Sequence, residues 1–315
     1  MPGDLHPQIQ AMLDRAQALG IPKVQDLSTE QARALVENLS AARAQDYPAP
    51  DIMDVENAST GPGYGHVPVR IYRATDSPTA PVIVFFHGGG HVLASLDSYE
   101  TTARFLALSA HCTVVSVDYR MGPEYPFPAA VEDVFNATRW VADTAGALRI
   151  DSTRLCICGD SAGGNLAAVT ALLARDSGAV DIAAQVLIYP VIDYLGGTPS
   201  YEKYGQGYGG LEAATAVWFR DRYLPDAEDH GDWRAAPWRA QSHSRLPPAL
   251  VVMAECDILA DEGHDYARRL SAAGVETQTL EFKGMTHGFF GYLGLVDDAA
   301  RAHRAVAEFL RGIWG

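Results

Sequence analysis

Along most of the chain, short uninterrupted apolar runs alternate with longer stretches in which apolar positions recur every three or four residues. Pro81-Val82-Ile83-Val84-Phe85-Phe86 and Cys112-Thr113-Val114-Val115-Ser116-Val117 are runs of the first kind. So are Arg154-Leu155-Cys156-Ile157-Cys158, Ala184-Gln185-Val186-Leu187-Ile188-Tyr189 and Leu250-Val251-Val252-Met253-Ala254. A run without polar alternation predicts a parallel strand covered on both faces. Helices are predicted between them, at 99–110, from Pro128 to about Val141, and at 164–175, 261–273 and 297–312, with a further strand at 277–282. Val67-Pro68-Val69-Arg70-Ile71-Tyr72 alternates instead, and its proline predicts an edge strand. Strands that alternate with helices predict an α/β fold around a mostly parallel sheet.

Two segments fall outside this alternation. Near the amino terminus Ile9, Met12, Leu13 and Ala16 mark one amphipathic helix. Ser28-Thr29-Glu30-Gln31, a capping box, opens a second that carries Ala32, Leu35, Val36 and Leu39. Tyr47-Pro48-Ala49-Pro50 ends this section. The other segment, 191–239, is rich in Gly, Tyr and Trp, with a helix predicted at 211–223. Neither has a place in the sheet, so both are expected to cover something. An insertion after a strand's carboxyl end predicts a lid.

Composition narrows the partners. The chain has 315 residues, 48% of them apolar, and a formal net charge of −15. Such a charge, with a pI near 5.0, argues against nucleic acid or an anionic membrane as partner. It reads as a solvated acidic surface. The start, Met1-Pro2-Gly3-Asp4-Leu5-His6, has neither a basic region nor an apolar run, which predicts no signal peptide. No apolar run has membrane-spanning length. Cys112, Cys156, Cys158 and Cys256 lie in or beside predicted buried strands. They read as free thiols, and the protein as cytoplasmic.

The chemistry centres on Gly159-Asp160-Ser161-Ala162-Gly163, set between a predicted strand and a predicted helix. Only small residues fit beside a serine on so tight a turn, and the hydroxyl is pushed out at the carboxyl end of the sheet. A serine needs a general base, itself oriented by a carboxylate. In this arrangement acid and base follow the nucleophile in the chain. His287, in Gly284-Met285-Thr286-His287-Gly288-Phe289-Phe290, follows a predicted strand and is the preferred base. His264 and His303 lie in predicted helices and read as solvated, and His230 and His243 are assigned to the insertion as weaker candidates. For the acid, Asp257 lies just beyond a strand end and is preferred to Glu255. Asp261 and Glu262 suit the first turn of a helix whatever the function. Phe86-His87-Gly88-Gly89-Gly90 matches an oxyanion loop, with Gly88, Gly89 and Ala162 as expected N–H donors. His87 and His91 are spaced as in a helical metal site, but the glycines between them disfavour a helix, so no metal is expected.

These motifs, with Asp118-Tyr119-Arg120, Pro123-Glu124 and Asp261-Glu262-Gly263 in the same order, make the chain resemble the hormone-sensitive-lipase-like carboxylesterases, bacterial family IV. The resemblance implies an α/β-hydrolase fold with an eight-stranded, mostly parallel sheet. It implies a cap built from residues 1–48 and 191–239 on a core of 49–190 and 240–315. It further implies cofactor-free hydrolysis of short- to medium-chain esters, and a possible homodimer. An amidase or deacetylase would use the same apparatus, and a non-catalytic ligand-binding protein on this fold is the alternative from another class. Departures are Met121-Gly122 where the family usually has Leu-Ala, Cys256 and Ile258 beside the acid where Tyr and Pro are frequent, and His91 where an aromatic residue is frequent. Tyr194, Tyr201, Tyr204, Tyr208, Trp218 and Phe219 predict an aromatic-rich cap, which is expected to set acyl-chain preference.

Overall fold

The apolar runs become the strands of a single sheet in the computed structural model, which describes residues 5–206 and 210–315. The strands are β1 (Asp54–Ser59), β2 (Pro68–Arg73), β3 (Ala80–Phe86), β4 (Thr113–Val117), β5 (Ile150–Asp160), β6 (Ala184–Ile188), β7 (Ala249–Cys256) and β8 (Thr277–Thr286). They form an eight-stranded sheet in the order β1-β2-β4-β3-β5-β6-β7-β8. β2 runs antiparallel to both neighbours, and the pairs from β4 to β8 are parallel.

The helices are α1 (Pro7–Ala18), α2 (Thr29–Asp46), α3 (Glu100–Ala110), α4 (Ala129–Asp143), α5 (Ala145–Leu148), α6 (Ala162–Ser177), α7 (Pro199–Tyr204), α8 (Ala213–Tyr223), α9 (Ala260–Ala272) and α10 (Asp297–Trp314). Continuous apolar strands have this layering as their cause, because alternate side chains enter two separate cores. From β3, Val82, Val84 and Phe86 pack with residues of α4, α6 and α9, such as Val134, Leu166 and Leu270. Ile83 and Phe85 face Leu106 of α3 and Val306 and Leu310 of α10. Cys156 and Cys158 share that second face, and all four cysteines are free and buried. Among the described residues no helix is long and apolar enough to cross a membrane.

Three expectations need correction. β2 is not an edge strand. Pro68 occupies its first position, opposite Ser59 of β1, where a strand tolerates the missing N–H, and the exposed β1 is the edge. β8 continues beyond 282 to Thr286, so the strand itself delivers the chain to His287. His303 is not solvated but fully buried, stacked on Phe290 at 3.7 Å between centroids, with Nε2 3.1 Å from the Phe290 carbonyl. Burial lowers its pKa to about 3, so it packs as a neutral ring. α7 was not anticipated, and Tyr208 and residues 1–4 lie outside the described residues.

The two outer segments pack on each other and on the loops that follow β3 and β4. Trp218 donates to the Leu27 carbonyl (3.2 Å), Thr215 to Gln25 (2.7 Å) and Arg222 to Thr29 (3.0 Å). Arg33 of α2 forms a bidentate pair with Glu124 (2.8 and 2.7 Å) and also donates to the carbonyls of Gly122 and Val92. Ala32, Val92, Leu93 and Trp218 form a small buried cluster where these pieces meet.

Candidate active site

Ser161 is the single residue between β5 and α6, at φ 57°, ψ −118°. A non-glycine residue there costs about 1–3 kcal/mol, which the surrounding packing must supply. The turn is held by the Ser161 N–H on the Ile188 carbonyl (2.8 Å) and by the Asn165 N–H on the Ser161 carbonyl (3.0 Å). Its neighbours are small for a steric reason: a Cβ at Gly163 would lie 1.9 Å from the Phe86 carbonyl oxygen, and one at Gly159 2.2 Å from that of Gly163. Helix and strand therefore cross closely, and the serine is left at the sheet's carboxyl end.

β7 and β8 bring two further groups to that end. His287 Nε2 lies 2.8 Å from Ser161 Oγ, and His287 Nδ1 lies 2.7 Å from Asp257 Oδ2. The other carboxylate oxygen of Asp257 accepts the Leu259 N–H at 3.0 Å. Asp257 is 1% exposed and Ser161 8% exposed, so the acid is sealed while the hydroxyl still meets a cavity.

The rival groups have other work. Glu255 accepts the Gly284 N–H (2.9 Å) and fastens the end of β8. Asp261 accepts the Ser200 N–H at the start of α7 (2.7 Å). Glu262 accepts the N–H groups of Ile192 and Asp193, both at 3.1 Å, where the 191–239 segment leaves the core. Burial pushes the Glu262 carboxyl up to about 8. His230 and His243 bond to the carbonyls of Leu224 and Pro237, and His264 pairs with Glu281.

The glycine loop departs from the expected donor set. The Gly88 N–H is already given to Asp160 Oδ1 (2.9 Å) and the Tyr99 hydroxyl (3.1 Å), which removes Gly88 from the free donors. Gly89 and Gly90, at φ +107° and +63°, line the cavity beside Ser161. Among the described residues the N–H groups of Gly89, Gly90 and Ala162 have no acceptor. His87 and His91 face different partners. His87 stacks on Tyr119 (4.5 Å) and donates Nδ1–H to the Gly88 carbonyl, whereas His91 stacks on Tyr223 (3.8 Å). Burial lowers them to about 4 and about 3.

The cavity has a volume of about 390 Å³. Val24 and Val36 wall it from the amino-terminal segment, and Tyr194, Tyr201, Leu211 and Phe219 from the 191–239 segment. Leu195 and Val217, 65% and 41% exposed, also line it. Tyr204 and Trp218 are instead buried between elements. The wall contributed by Val24 and Val36 had no local signal, because apolar residues on an amphipathic segment read equally as packing. The role of Asp160 had none either, since it appears only when the loop after β3 folds against β5.

A hydroxyl aligned on an imidazole, a carboxylate behind it and unpaired N–H donors beside it can carry acyl transfer. Comparison with known proteins agrees. The family model described as the alpha/beta hydrolase fold matches residues 83–291. The ethyl acetate hydrolase of Pseudomonas putida is 38% identical over 289 residues, covering 90% of each chain. The carboxylesterase NlhH of Mycobacterium tuberculosis is 38% identical over 257 residues, 80% of each. Among solved structures, the hyperthermophilic esterase from the archaeon Pyrobaculum calidifontis superposes with a TM-score of 0.92 at 36% identity, covering 98% of both chains. The chain belongs to this α/β-hydrolase family, in its hormone-sensitive-lipase-like branch, and it is a carboxylic ester hydrolase.

Proposed function

We propose that Ser161 is the nucleophile, His287 the general base and acid, and Asp257 the residue that holds the imidazole. The observation that carries this is the unbroken line from Ser161 Oγ through His287 to Asp257, at 2.8 and 2.7 Å. Ser161 attacks the ester carbonyl as its proton passes to His287 Nε2. The carbonyl oxygen takes the charge against the N–H groups of Gly89, Gly90 and Ala162. His287 then protonates the leaving alcohol, and water repeats the sequence on the acyl-enzyme. The Nδ1–H bond to Asp257 keeps Nε2 unprotonated and facing the serine in the resting enzyme.

The substrates are short- to medium-chain esters. An apolar-walled cavity of about 390 Å³ supports this, and ethyl acetate, the substrate named for the Pseudomonas putida relative, lies at its short end. Residues 1–48 and 191–239 act as the cap that bounds the acyl site. Four buried, unpaired thiols support a cytoplasmic location, testable by fractionation. The resemblance also carries a homodimer; a single 33.9 kDa species in sedimentation velocity would dismiss it. The test of the whole reading is hydrolysis of p-nitrophenyl esters from acetate to laurate by wild type and Ser161→Ala. Wild type is expected to turn over the shorter esters and the variant to lose about 10⁴-fold or more in kcat. A folded variant within tenfold of wild type would overturn the assignment.

A further inference from the structure

Asp160, the last residue of β5, is 4% exposed, and among the described residues no lysine or arginine pairs with it. A buried carboxylate without a cation is costly, and burial raises its pKa to about 6. What it receives instead is a set of neutral donors from other parts of the fold. Its Oδ1 accepts the Gly88 N–H at 2.9 Å, and its Oδ2 accepts the Tyr99 hydroxyl at 2.8 Å, with the Tyr189 hydroxyl at 3.5 Å. The Tyr99 oxygen also accepts from the Gly88 N–H at 3.1 Å, so Gly88, Tyr99 and Asp160 close a triangle. The fit is close: a Cβ at Gly88 would lie 2.7 Å from Asp160 Oδ2 and 2.8 Å from the Tyr99 oxygen, so a side chain there would displace both groups.

We infer that Asp160 is a positioning residue for the oxyanion loop: by holding the Gly88 N–H it fixes the peptides that follow, so that Gly89 and Gly90 present their N–H groups beside Ser161. The inference rests on the reading of Ser161 as nucleophile. Asp160 borders the cavity beside Ser161, and the role assigned to it acts through the Gly88 peptide. It sits one residue before Ser161 and one hydrogen bond before the donors, so strand β5 sets nucleophile and oxyanion loop in a common frame. Gly89 and Gly90 occupy left-handed conformations without side chains of their own, so hydrogen bonds set their geometry: His87 on the Gly88 carbonyl, the Val92 and Leu93 N–H groups on the Gly89 carbonyl, and Asp160 on the Gly88 N–H. Losing an oxyanion donor costs about 10²–10³-fold in kcat, and a 1 Å displacement about 10²-fold.

The test compares Asp160→Ala, which removes the acceptor, with Asp160→Asn, which keeps an oxygen for Gly88. Each is assayed for p-nitrophenyl butyrate kinetics and for inhibition by an alkyl trifluoromethyl ketone. With that ketone Ser161 Oγ adds to the carbonyl carbon, the C=O π bond opens to an oxyanion and the serine proton goes to His287. The inhibitor therefore reads the oxyanion site without a leaving group. Asp160→Ala is expected to lose about 100-fold in kcat with KM within threefold, and to weaken the ketone by a similar factor. Asp160→Asn should stay within about tenfold of wild type on both measures. A folded Asp160→Ala that keeps kcat and ketone affinity within threefold would overturn the inference, as would equal losses in the two variants. If Asp160→Ala does not fold, Tyr99→Phe carries the test, with an expected parallel loss of about fivefold in kcat and ketone affinity. No change in that variant would also overturn it. Ketone affinity that survives Ser161→Ala would count against the nucleophile itself, a separate outcome.

Discussion

Replacing Gly122 by alanine should move the wall of the cavity without touching the catalytic groups. Gly122 lies in the loop after β4, where the family usually carries alanine, and its backbone joins three parts of the molecule. Its N–H donates to the His91 carbonyl (2.9 Å), its carbonyl accepts from Arg33 of α2 (2.8 Å), and its Cα faces the end of α8. A Cβ there would lie 2.4 Å from the Arg222 carbonyl oxygen and 3.3 Å from the Tyr223 Cα. Both contacts are with backbone, so no rotamer change relieves them. Bringing 2.4 Å out to the 3.4 Å of ordinary contact moves the end of α8 by about 1 Å. That shift strains the Tyr223 stack on His91 and the Phe127 N–H bond to the Tyr223 carbonyl. Overpacking of this size costs about 1–3 kcal/mol. The midpoint of thermal unfolding should then fall by about 2–6 °C, at about 2 °C per kcal/mol for a large domain. Thr215 and Phe219 of the same helix line the cavity, so KM for butyrate and longer p-nitrophenyl esters should rise while kcat on acetate stays within about threefold. Thermal unfolding and the ester series on one preparation give both readings. An unchanged midpoint with an unchanged chain-length profile would refute the reasoning, because α8 would then neither rest on Gly122 nor wall the substrate.

Two further outcomes follow from named contacts. Glu262→Gln should preserve the anchor of the 191–239 segment and remove its pH dependence. The folded pKa of about 8 lies above the ordinary 4.5, so the native carboxyl keeps a proton that the unfolded chain releases. Wild-type stability should therefore fall from about pH 4.5 to about pH 8, by at most about 1.4 kcal/mol per unit, and the variant should not share that fall; parallel urea midpoints at pH 5 and 8.5 would contradict this. Phe219→Ala should move the chain-length optimum of the p-nitrophenyl series to longer acyl groups, because the ring stands over Gly90 inside the cavity, where an added Cβ would come within 2.1 Å of it. An unmoved optimum would remove Phe219 from the acyl site.

How much of this could be read from the chain alone follows from how local each signal is. Ser161 and its strand–turn–helix context were legible because the tight turn demands small residues at Gly159 and Gly163 within a few positions. His287 and Asp257 were legible because each lies in the loop that follows a predicted strand, and the topology aligns the ends of those strands. The commitment of Gly88 was not legible, since both its acceptors, Asp160 and Tyr99, are remote in sequence and the motif does not say which N–H faces the serine. The burial of His303 was missed for a related reason. A lone histidine in an amphipathic helix looks solvated until Phe290, from the loop before that helix, stacks on it. The inner place of β2 was missed because Pro68 signals an edge only when it lies within a strand, not at its first residue.

The most direct test of the account is to trap the covalent intermediate. Wild-type enzyme treated with a p-nitrophenyl alkylphosphonate should release about one p-nitrophenolate per chain and gain one phosphonyl group, mapped by peptide mass spectrometry to Ser161. The same treatment of His287→Ala should be slower by about three orders of magnitude or more. An adduct on another residue, or full-speed modification of His287→Ala, would contradict the assignment of Ser161 and His287 as nucleophile and base.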